Sequence, residues 1–446
     1  MGRSVGERIF QLKKRVAFFT LGCKVNYCET EGLQELFEQA GYRIVNFGDQ
    51  ADVYVINTCT VTRYSEHKSR KTIRRARRCS PEALIVATGC YAQGKPDQIR
   101  EMEHVDLIIG NRDRENLPLI IDSLEENSFL EMVTPYRGET EFEMLPQTGR
   151  RRRTRGFLKI QDGCNQYCSY CIIPYVRGPL RSLPPAEVLA RAQALVKSGC
   201  REIVLTGIHL GLYGAGLGRT NLASLLRELA AVPGLLRLRL SSLEPWDITP
   251  ELVEEIIRLP IVCPHLHVPL QSGDSEILRL MNRPYEAEEY LYLARWLKQE
   301  IPDLSLSSDI IVGFPGEREE NHRRSMELVA DIAFSRLHVF KFSARPGTAA
   351  AALPGQLPNE IKEKRSKEMI ALGEETASAY RRKFIGTAQP VLVEKVKPYQ
   401  WAEGLTPHYL RVRIATGIKG LHWRGKVINA RLEKEEGPLI RALRNR

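Results

Sequence analysis

Asp162-Gly163-Cys164-Asn165-Gln166-Tyr167-Cys168-Ser169-Tyr170-Cys171 places three thiols within eight residues, spaced C-x3-C-x2-C. The stretch follows an apolar run at 157–161 that reads as a strand. Three thiolates on one loop suit a four-iron cluster in which the protein holds three irons and one iron stays open to bind something else. Zinc is the competing reading. A structural zinc site takes four closed ligands, and no fourth Cys or His lies close in sequence.

Downstream of the loop, strand-like runs recur at 202–206, 236–241, 265–270, 306–312 and 336–342, each followed by a turn and usually by a helical pattern. With the run at 157–161 they make six β/α repeats. A closed eight-stranded barrel takes about 250 residues and roughly 220 are available, so a partial, TIM-type (β/α)6 barrel is expected over 151–380. Upstream, residues 14–125 also alternate strand and helix, which implies an open parallel sheet covered by helices. The whole chain is therefore expected to be α/β. Within the upstream region V-A-F-F-T-L-G-C ends at Cys23, D-V-Y-V-I-N-T-C at Cys59 and L-I-V-A-T-G-C at Cys90. The three thiols are 36 and 31 residues apart, yet each sits at the carboxyl end of a strand, where open α/β sheets hold ligands. Residues 126–150 lack periodicity and read as a linker. The segment 353–380 reads as helical and charged. From 388 onward the period falls to two, in V-L-V-E-K-V, Y-L-R-V-R-I and K-V-I-N-A-R-L. A small β-barrel that binds nucleic acid is expected over 381–446.

The net charge of +11 is unevenly placed. Residues 381–446 carry 15 Lys/Arg against 5 Asp/Glu, and residues 63–78 carry 8 against one. A third block is Arg150-Arg151-Arg152-Arg153-Thr154-Arg155. Concentrated positive charge suits a phosphate backbone, and a solvated face is the plainer alternative for any one block. Hydrophobic content of 43% and charged content of 27% are ordinary for a soluble protein. No run of eighteen apolar residues suggests a membrane span, and the polar first 14 residues lack the apolar core of a signal peptide. The expected location is cytoplasmic. In that reducing setting ten cysteines are metal ligands, catalytic groups or core residues rather than disulfides.

The cysteine loop at the end of the first barrel strand resembles the radical S-adenosylmethionine enzymes. The resemblance implies a [4Fe-4S] cluster on Cys164, Cys168 and Cys171, whose open iron chelates S-adenosylmethionine and whose electron cleaves it to a 5′-deoxyadenosyl radical. It also implies cofactor contacts at the other strand ends: Thr206 and Gly207 near the methionine amine, Ser241 and Glu244 in S-S-L-E-P, His267 and Gln271 in H-V-P-L-Q-S-G, and Asp309 and Gly313 beside the adenine. Tyr170, inside the loop, is expected to shield the cluster and touch adenine, or else to be a packed loop aromatic.

With T-L-G-C-K-V-N, I-N-T-C-T-V-T and T-G-C-Y-A-Q added, the chain resembles the methylthiotransferase family along its whole length. That family joins an auxiliary-cluster domain, a radical barrel and a C-terminal RNA-binding barrel called TRAM. The match implies a second [4Fe-4S] cluster on Cys23, Cys59 and Cys90, able to carry an exogenous sulfur that one S-adenosylmethionine methylates while another supplies the radical. Three branches differ in the first motif. G-C-Q-M-N accompanies isopentenyladenosine in tRNA, G-C-P-K-N an aspartate of a small-subunit ribosomal protein, and G-C-K-V-N the N6-threonylcarbamoyladenosine at tRNA position 37. This chain reads Gly22-Cys23-Lys24-Val25-Asn26, similar to the third. It departs from that branch at Tyr27-Cys28, where Cys28 reads as a half-buried helix residue. Cys79, Cys200 and Cys263 match no ligand spacing and read as structural. The implied partners are the anticodon arm of tRNA, a reductant such as flavodoxin or ferredoxin, and a sulfur source. Candidate RNA contacts are Arg70, Arg74, Arg77, Arg411, Arg413 and Lys426. A metal-bearing RNA-binding protein without catalysis is the alternative from another class, and it leaves the open-site cysteine spacing unexplained.

Overall fold

A computed structural model describes residues 14–125, 128–136, 138, 141–147, 154–416 and 422–444. They fall into two compact units, one running to Pro135 with Glu143–Pro146 added, the other comprising Tyr136–Phe142 and everything from Gln147 on. Among the described residues no helix is long and apolar enough to cross a membrane.

The first unit is a six-stranded parallel sheet, β1 (Arg15–Thr20), β2 (Arg43–Val45), β3 (Val53–Thr58), β4 (Leu84–Gly89), β5 (Leu107–Ile109) and β6 (Leu130–Met132), in the order β2-β1-β3-β4-β5-β6. Helices cover it, among them α1 (Lys24–Gln39), α2 (Arg63–Cys79) and the short α3 (Cys90–Gly94). The central strands β3 and β4 are buried on both faces, which is why their sequences are continuous apolar runs. The chain leaves β1 toward β2 on one side and returns to β3 on the other. Such a reversal opens a crevice outside the carboxyl ends of β1 and β3.

The segment 126–150, expected as a linker, contributes β6 to this sheet and Leu145 to its core. Three residues are too few to show a period of two. Leu145 and Pro146 also press against Gly32 of α1, where a Cβ would lie 2.8 Å from the Leu145 side chain.

The second unit carries six parallel strands in chain order: β7 (Arg155–Lys159), β10 (Glu202–Thr206), β11 (Arg237–Leu240), β12 (His265–His267), β13 (Ser305–Val312) and β14 (Arg336–Lys341). They form two ladders, β11-β10-β7 and β12-β13-β14, joined by isolated parallel bridges at Leu238–Val262 and Ser242–His267. Among the described residues no ladder joins β7 to β14, so the barrel is open, as its length suggested. Two-residue strands β8 (Gln161–Asp162) and β9 (Arg181–Ser182) pair antiparallel and close the base of the cysteine loop. A long helix, Asn359–Arg382, leads to a closed barrel of β15 (Ala388–Lys397), β16 (Trp401–Leu405), β17 (Arg411–Ala415), β18 (Val427–Glu436) and β19 (Leu439–Arg444).

This small barrel is docked on the amino ends of β7, β10 and β11. Glu202 is fully buried and draws in Arg155, Arg237 and Arg239. The arginines in turn donate to carbonyls of Pro390, Leu405, Thr406 and Pro407, and Arg155 pairs with Glu394. One carboxylate could not hold three buried cations unaided; the backbone oxygens supply the remaining acceptors.

Candidate functional site

The first cysteine set is built by the crevice of the parallel sheet. Cys23 follows β1 and caps α1, Cys59 follows β3, and Cys90 opens α3 directly after β4. Thr20 pairs in register with Asn57, Asn57 with Thr88, and Thr58 with Gly89, so the three strand ends are neighbours. Polar side chains of the motifs tie these ends together. Asn26 Nδ2 donates to the carbonyls of Leu21 (2.8 Å) and Thr58 (3.1 Å), and Thr58 Oγ1 donates to the carbonyl of Thr88 (2.6 Å).

Two glycines are required at this crevice. Gly22 has φ +102°, and a Cβ there would stand 3.1 Å from the Cys59 sulfur. Gly89 has φ +92°, and its Cβ would lie 2.3 Å from Asn57 Oδ1 and 2.5 Å from the Thr58 oxygen. Burial, then the neighbouring Cys90 and, less strongly, Cys23 thiols, push the Cys59 thiol up to about 12. Neutral amides reach two of these thiols: the Cys23 thiol points at Asn26 Oδ1 (3.8 Å), and Asn111 Nδ2 at Cys90 Sγ (3.9 Å). Cys28 is fully buried in α1, 3% exposed, deeper than expected.

The second set lies on the loop after β7. Its base is clamped by Asp162, whose carboxylate meets Lys159 (2.7 Å), Arg181 (3.4 Å) and Arg177 (3.5 Å) and accepts the Gly163 N–H. Its middle is latched to the turn Leu280–Arg283. Ser169 donates through N–H to Met281 and through Oγ to Leu280, and Asn282 Nδ2 donates to the Tyr167 carbonyl. Burial, then the Cys168 thiol, pushes Cys171 up to about 12.

Two buried side chains reach the other sulfurs. His209 Nδ1 lies 3.5 Å from Cys164 Sγ while its Nε2 lies 2.7 Å from Asp247 Oδ2. Burial lowers this imidazole, but the Asp247 and Cys164 hydrogen bonds outweigh it and raise it to about 10. Arg283 Nη1 donates to Cys168 Sγ (3.5 Å) and its Nη2 to the Glu244 carboxylate. Neither His209 nor Arg283 was indicated by the sequence, because each acts across 45 or 115 residues and belongs to no cysteine motif.

The residues singled out in the sequence lie at or near the carboxyl ends of their strands. Thr206 and Gly207 end β10, Ser241 follows β11, His267 ends β12, Asp309 lies in β13 and Gly313 follows it. Thr206 Oγ1 and Ser241 Oγ are buried with no hydrogen-bond partner. Buried hydroxyls are normally satisfied, so this pair marks a place for a polar ligand. His267 is held by Ser307 (3.0 Å) and Asp309 (3.2 Å), and Gln271 sits at φ +64° with its N–H on the Asp309 carbonyl. Glu244, expected toward the cofactor, has its carboxylate on Arg283, a partner 39 residues away. Tyr170 packs edge-on against Phe314, at 6.4 Å between ring centroids, within a cluster that includes Phe342.

Among the described residues no three His, Cys, Asp or Glu side chains close around one point as a single ion requires. Zinc needs its thiolates at about 2.3 Å each. Both trios are soft thiol sets of three, a donor set that suits an iron–sulfur cluster with one iron left open.

The basic residues divide by use. Arg74, Arg411 and Lys426 are exposed. Arg77 is not available as expected: it grips Asp106 (2.7 and 2.9 Å) and the carbonyls of Pro81 and Ala83. Arg413 is bound to Glu403 and stacked on Trp401 at 5.0 Å, and Arg70 donates to the Tyr91 hydroxyl. Of the third basic block, residues 150–153 lie outside the described residues, and Arg155 serves the docked barrel.

Comparison with known proteins agrees with this geometry. Residues 15–110 match the family described as Uncharacterized protein family UPF0004, and residues 158–329 match the Radical SAM superfamily. Over 439 residues the chain is 41% identical to the threonylcarbamoyladenosine tRNA methylthiotransferase MtaB of Bacillus subtilis (strain 168), covering 96% of this chain and 97% of that one. Over 392 residues it is 38% identical to the tRNA-2-methylthio-N(6)-dimethylallyladenosine synthase of Moorella thermoacetica, covering 86% and 87%. Among solved structures, the radical S-adenosylmethionine methyltransferase TsrM from Kitasatospora setae matches with a TM-score of 0.56 at 16% identity, over 76% of this chain and 74% of that one. This last likeness is one of fold.

Proposed function

Because the chain belongs to the radical S-adenosylmethionine tRNA methylthiotransferase family, we propose that it adds a methylthio group to C2 of N6-threonylcarbamoyladenosine at tRNA position 37. The observation that carries this choice of base is the 41% identity to the MtaB relative over 96% of the chain, joined to Gly22-Cys23-Lys24-Val25-Asn26 in the first motif. The dimethylallyladenosine relative, at 38%, supports the second reading, in which isopentenyladenosine is the base.

In this reading Cys164, Cys168 and Cys171 hold one [4Fe-4S] cluster and Cys23, Cys59 and Cys90 hold another. When bound, a cluster with an open iron and S-adenosylmethionine supply the radical chemistry that an unactivated C–H bond demands, and the second cluster supplies the sulfur. The chain's own part is to seat and orient. Thr206 and Ser241 offer unspent hydroxyls to the methionine end of S-adenosylmethionine, and His267, Gln271, Asp309 and Gly313 line the neighbouring strand ends. The exposed cations Arg74, Arg411 and Lys426 meet the phosphates of the anticodon arm, whose loop bases leave their stack more cheaply than those of a duplex. A one-electron donor such as flavodoxin or ferredoxin and a sulfur source complete the partners.

The test is mass spectrometry of tRNA nucleosides from cells with and without this gene. Loss of the 2-methylthio derivative of N6-threonylcarbamoyladenosine is expected. Loss of the isopentenyladenosine derivative alone overturns the choice of base.

A further inference from the structure

The guanidinium of Arg283 reaches a thiol of the cysteine loop, and it is buried with a side chain 1% exposed. Its surroundings hold it in one pose. Trp246 stacks on it at 4.6 Å and Tyr285 at 5.3 Å. Nη2 is spent on Glu244 and Nη1 on Cys168 Sγ. Nε is buried without a hydrogen-bond partner, so its N–H is an unused donor beside the loop. Both Glu244 and Trp246 come from one short segment after β11, and Arg283 comes from the turn that latches the cysteine loop. A guanidinium stays protonated in proteins, so this is a fixed positive charge with an N–H aimed at a sulfur.

We propose that Arg283, balanced by Glu244, sets the reduction potential of the cluster held by the cysteine loop. The inference rests on the reading that Cys164, Cys168 and Cys171 hold a [4Fe-4S] cluster. Taking up one electron from a low-potential one-electron donor adds one negative charge to the cluster and its thiolates, with no bond made or broken. A cation donating to a ligand sulfur stabilises that extra charge and raises the potential, and hydrogen bonds to cluster sulfurs are a known lever on it. Glu244 opposes part of the effect while fixing the guanidinium's direction. Arg283 is thus a positioning and tuning residue: it makes the site reducible by a donor that would otherwise be too weak.

The test is an EPR-monitored dithionite titration of the full-length, anaerobically reconstituted protein without tRNA. The relevant signal is the one that changes when S-adenosylmethionine is added. Arg283→Gln is expected to shift the midpoint to more negative potential, Arg283→Lys to shift it less, and Glu244→Gln to shift it to more positive potential. Shifts of opposite sign from the two partners are not produced by a merely structural role, which would loosen the loop in either variant. Iron retained with no shift, or with both shifts of one sign, overturns the proposal. If Arg283→Gln loses iron, the pair Arg283→Lys and Glu244→Gln decides by the same signs. If substitution of all three loop cysteines by Ala leaves iron content and the signal unchanged, the underlying cluster assignment fails and the proposal with it.

Discussion

Cys23, Cys59 and Cys90 come from three strand ends separated by 36 and 31 residues, whereas Cys164, Cys168 and Cys171 sit within eight residues of one loop. The first set exists only when a whole parallel sheet is in register, and its polar ties run between neighbouring strand ends. The second set needs no sheet to bring its thiols together. It needs a clamp at its base, from Asp162, and a latch at its middle, from Leu280–Arg283. Their electrostatics differ too. Amide groups of Asn26 and Asn111 face two thiols of the sheet-built set, while a histidine and an arginine, each backed by a carboxylate, face two thiols of the loop-built set. Charged side chains thus meet the loop-built set directly, at Cys164 and at Cys168.

The largest expected effect separates the two sets by removing one thiol from each. Cys59→Ala and Cys168→Ala are each expected to abolish methylthiolation and to lower reconstituted iron from about eight to about four per chain, the content of two and of one four-iron cluster. Cys59→Ala keeps 5′-deoxyadenosine formation with S-adenosylmethionine and dithionite; Cys168→Ala loses it. If Cys59→Ala still makes the modified nucleoside, the sheet-built set has no part in sulfur transfer.

Stability variants sharpen the difference between clamp and sheet. Asp162→Asn withdraws the carboxylate shared by three nearly buried cations, Lys159, Arg177 and Arg181. Removing one partner of a buried ion pair costs about 3–5 kcal/mol, so a clear fall in denaturant midpoint of the second unit is expected. Gly89→Ala acts on the sheet instead. A residue other than Gly at a left-handed φ costs about 1–3 kcal/mol, and the new Cβ would press on the Thr58 oxygen. Its expected signature is loss of the sheet-built set's iron with the S-adenosylmethionine-sensitive signal of the loop intact. Loss of both signals together would mean that the two sets do not fold independently.

Much of this arrangement was legible in the sequence for a physical reason. In the barrel β10 and β13 are almost wholly buried, as are the central strands of the first sheet, so their apolar runs end close to where the ladders end. Two of the three-residue strands were not legible. Arg43–Val45 and Leu130–Met132 are too short to show a period, and the second turned an expected linker into an edge strand. In the small barrel, Trp401–Leu405 and Leu439–Arg444 were missed because glycine, glutamate and arginine interrupt their apolar pattern. Charge was the poorest guide. Arg77 and Arg413 look like free surface cations in the sequence, but Asp106 and Glu403 lie within reach only once strands are paired. Glu244 was singled out without its ion-pair partner, since nothing local announces Arg283.

The smallest expected effect tests whether the loop-built set and the strand ends form one ligand seat. Thr206→Val replaces a buried hydroxyl that has no partner in the folded chain with a methyl group of similar shape. Nothing in the protein loses a hydrogen bond, and removing an unsatisfied buried donor is close to neutral or slightly stabilising. Thermal stability of the chain alone should therefore hold or rise. If the hydroxyl is spent on S-adenosylmethionine, affinity falls by one ordinary hydrogen bond, about 0.5–1.5 kcal/mol or roughly twofold to tenfold, read by calorimetric titration of the reconstituted protein. The loop thiols and the strand-end hydroxyls would then be two halves of one site. Unchanged affinity with raised stability would instead leave Thr206 as a tolerated defect at the end of β10, with the ligand seated among the other strand ends.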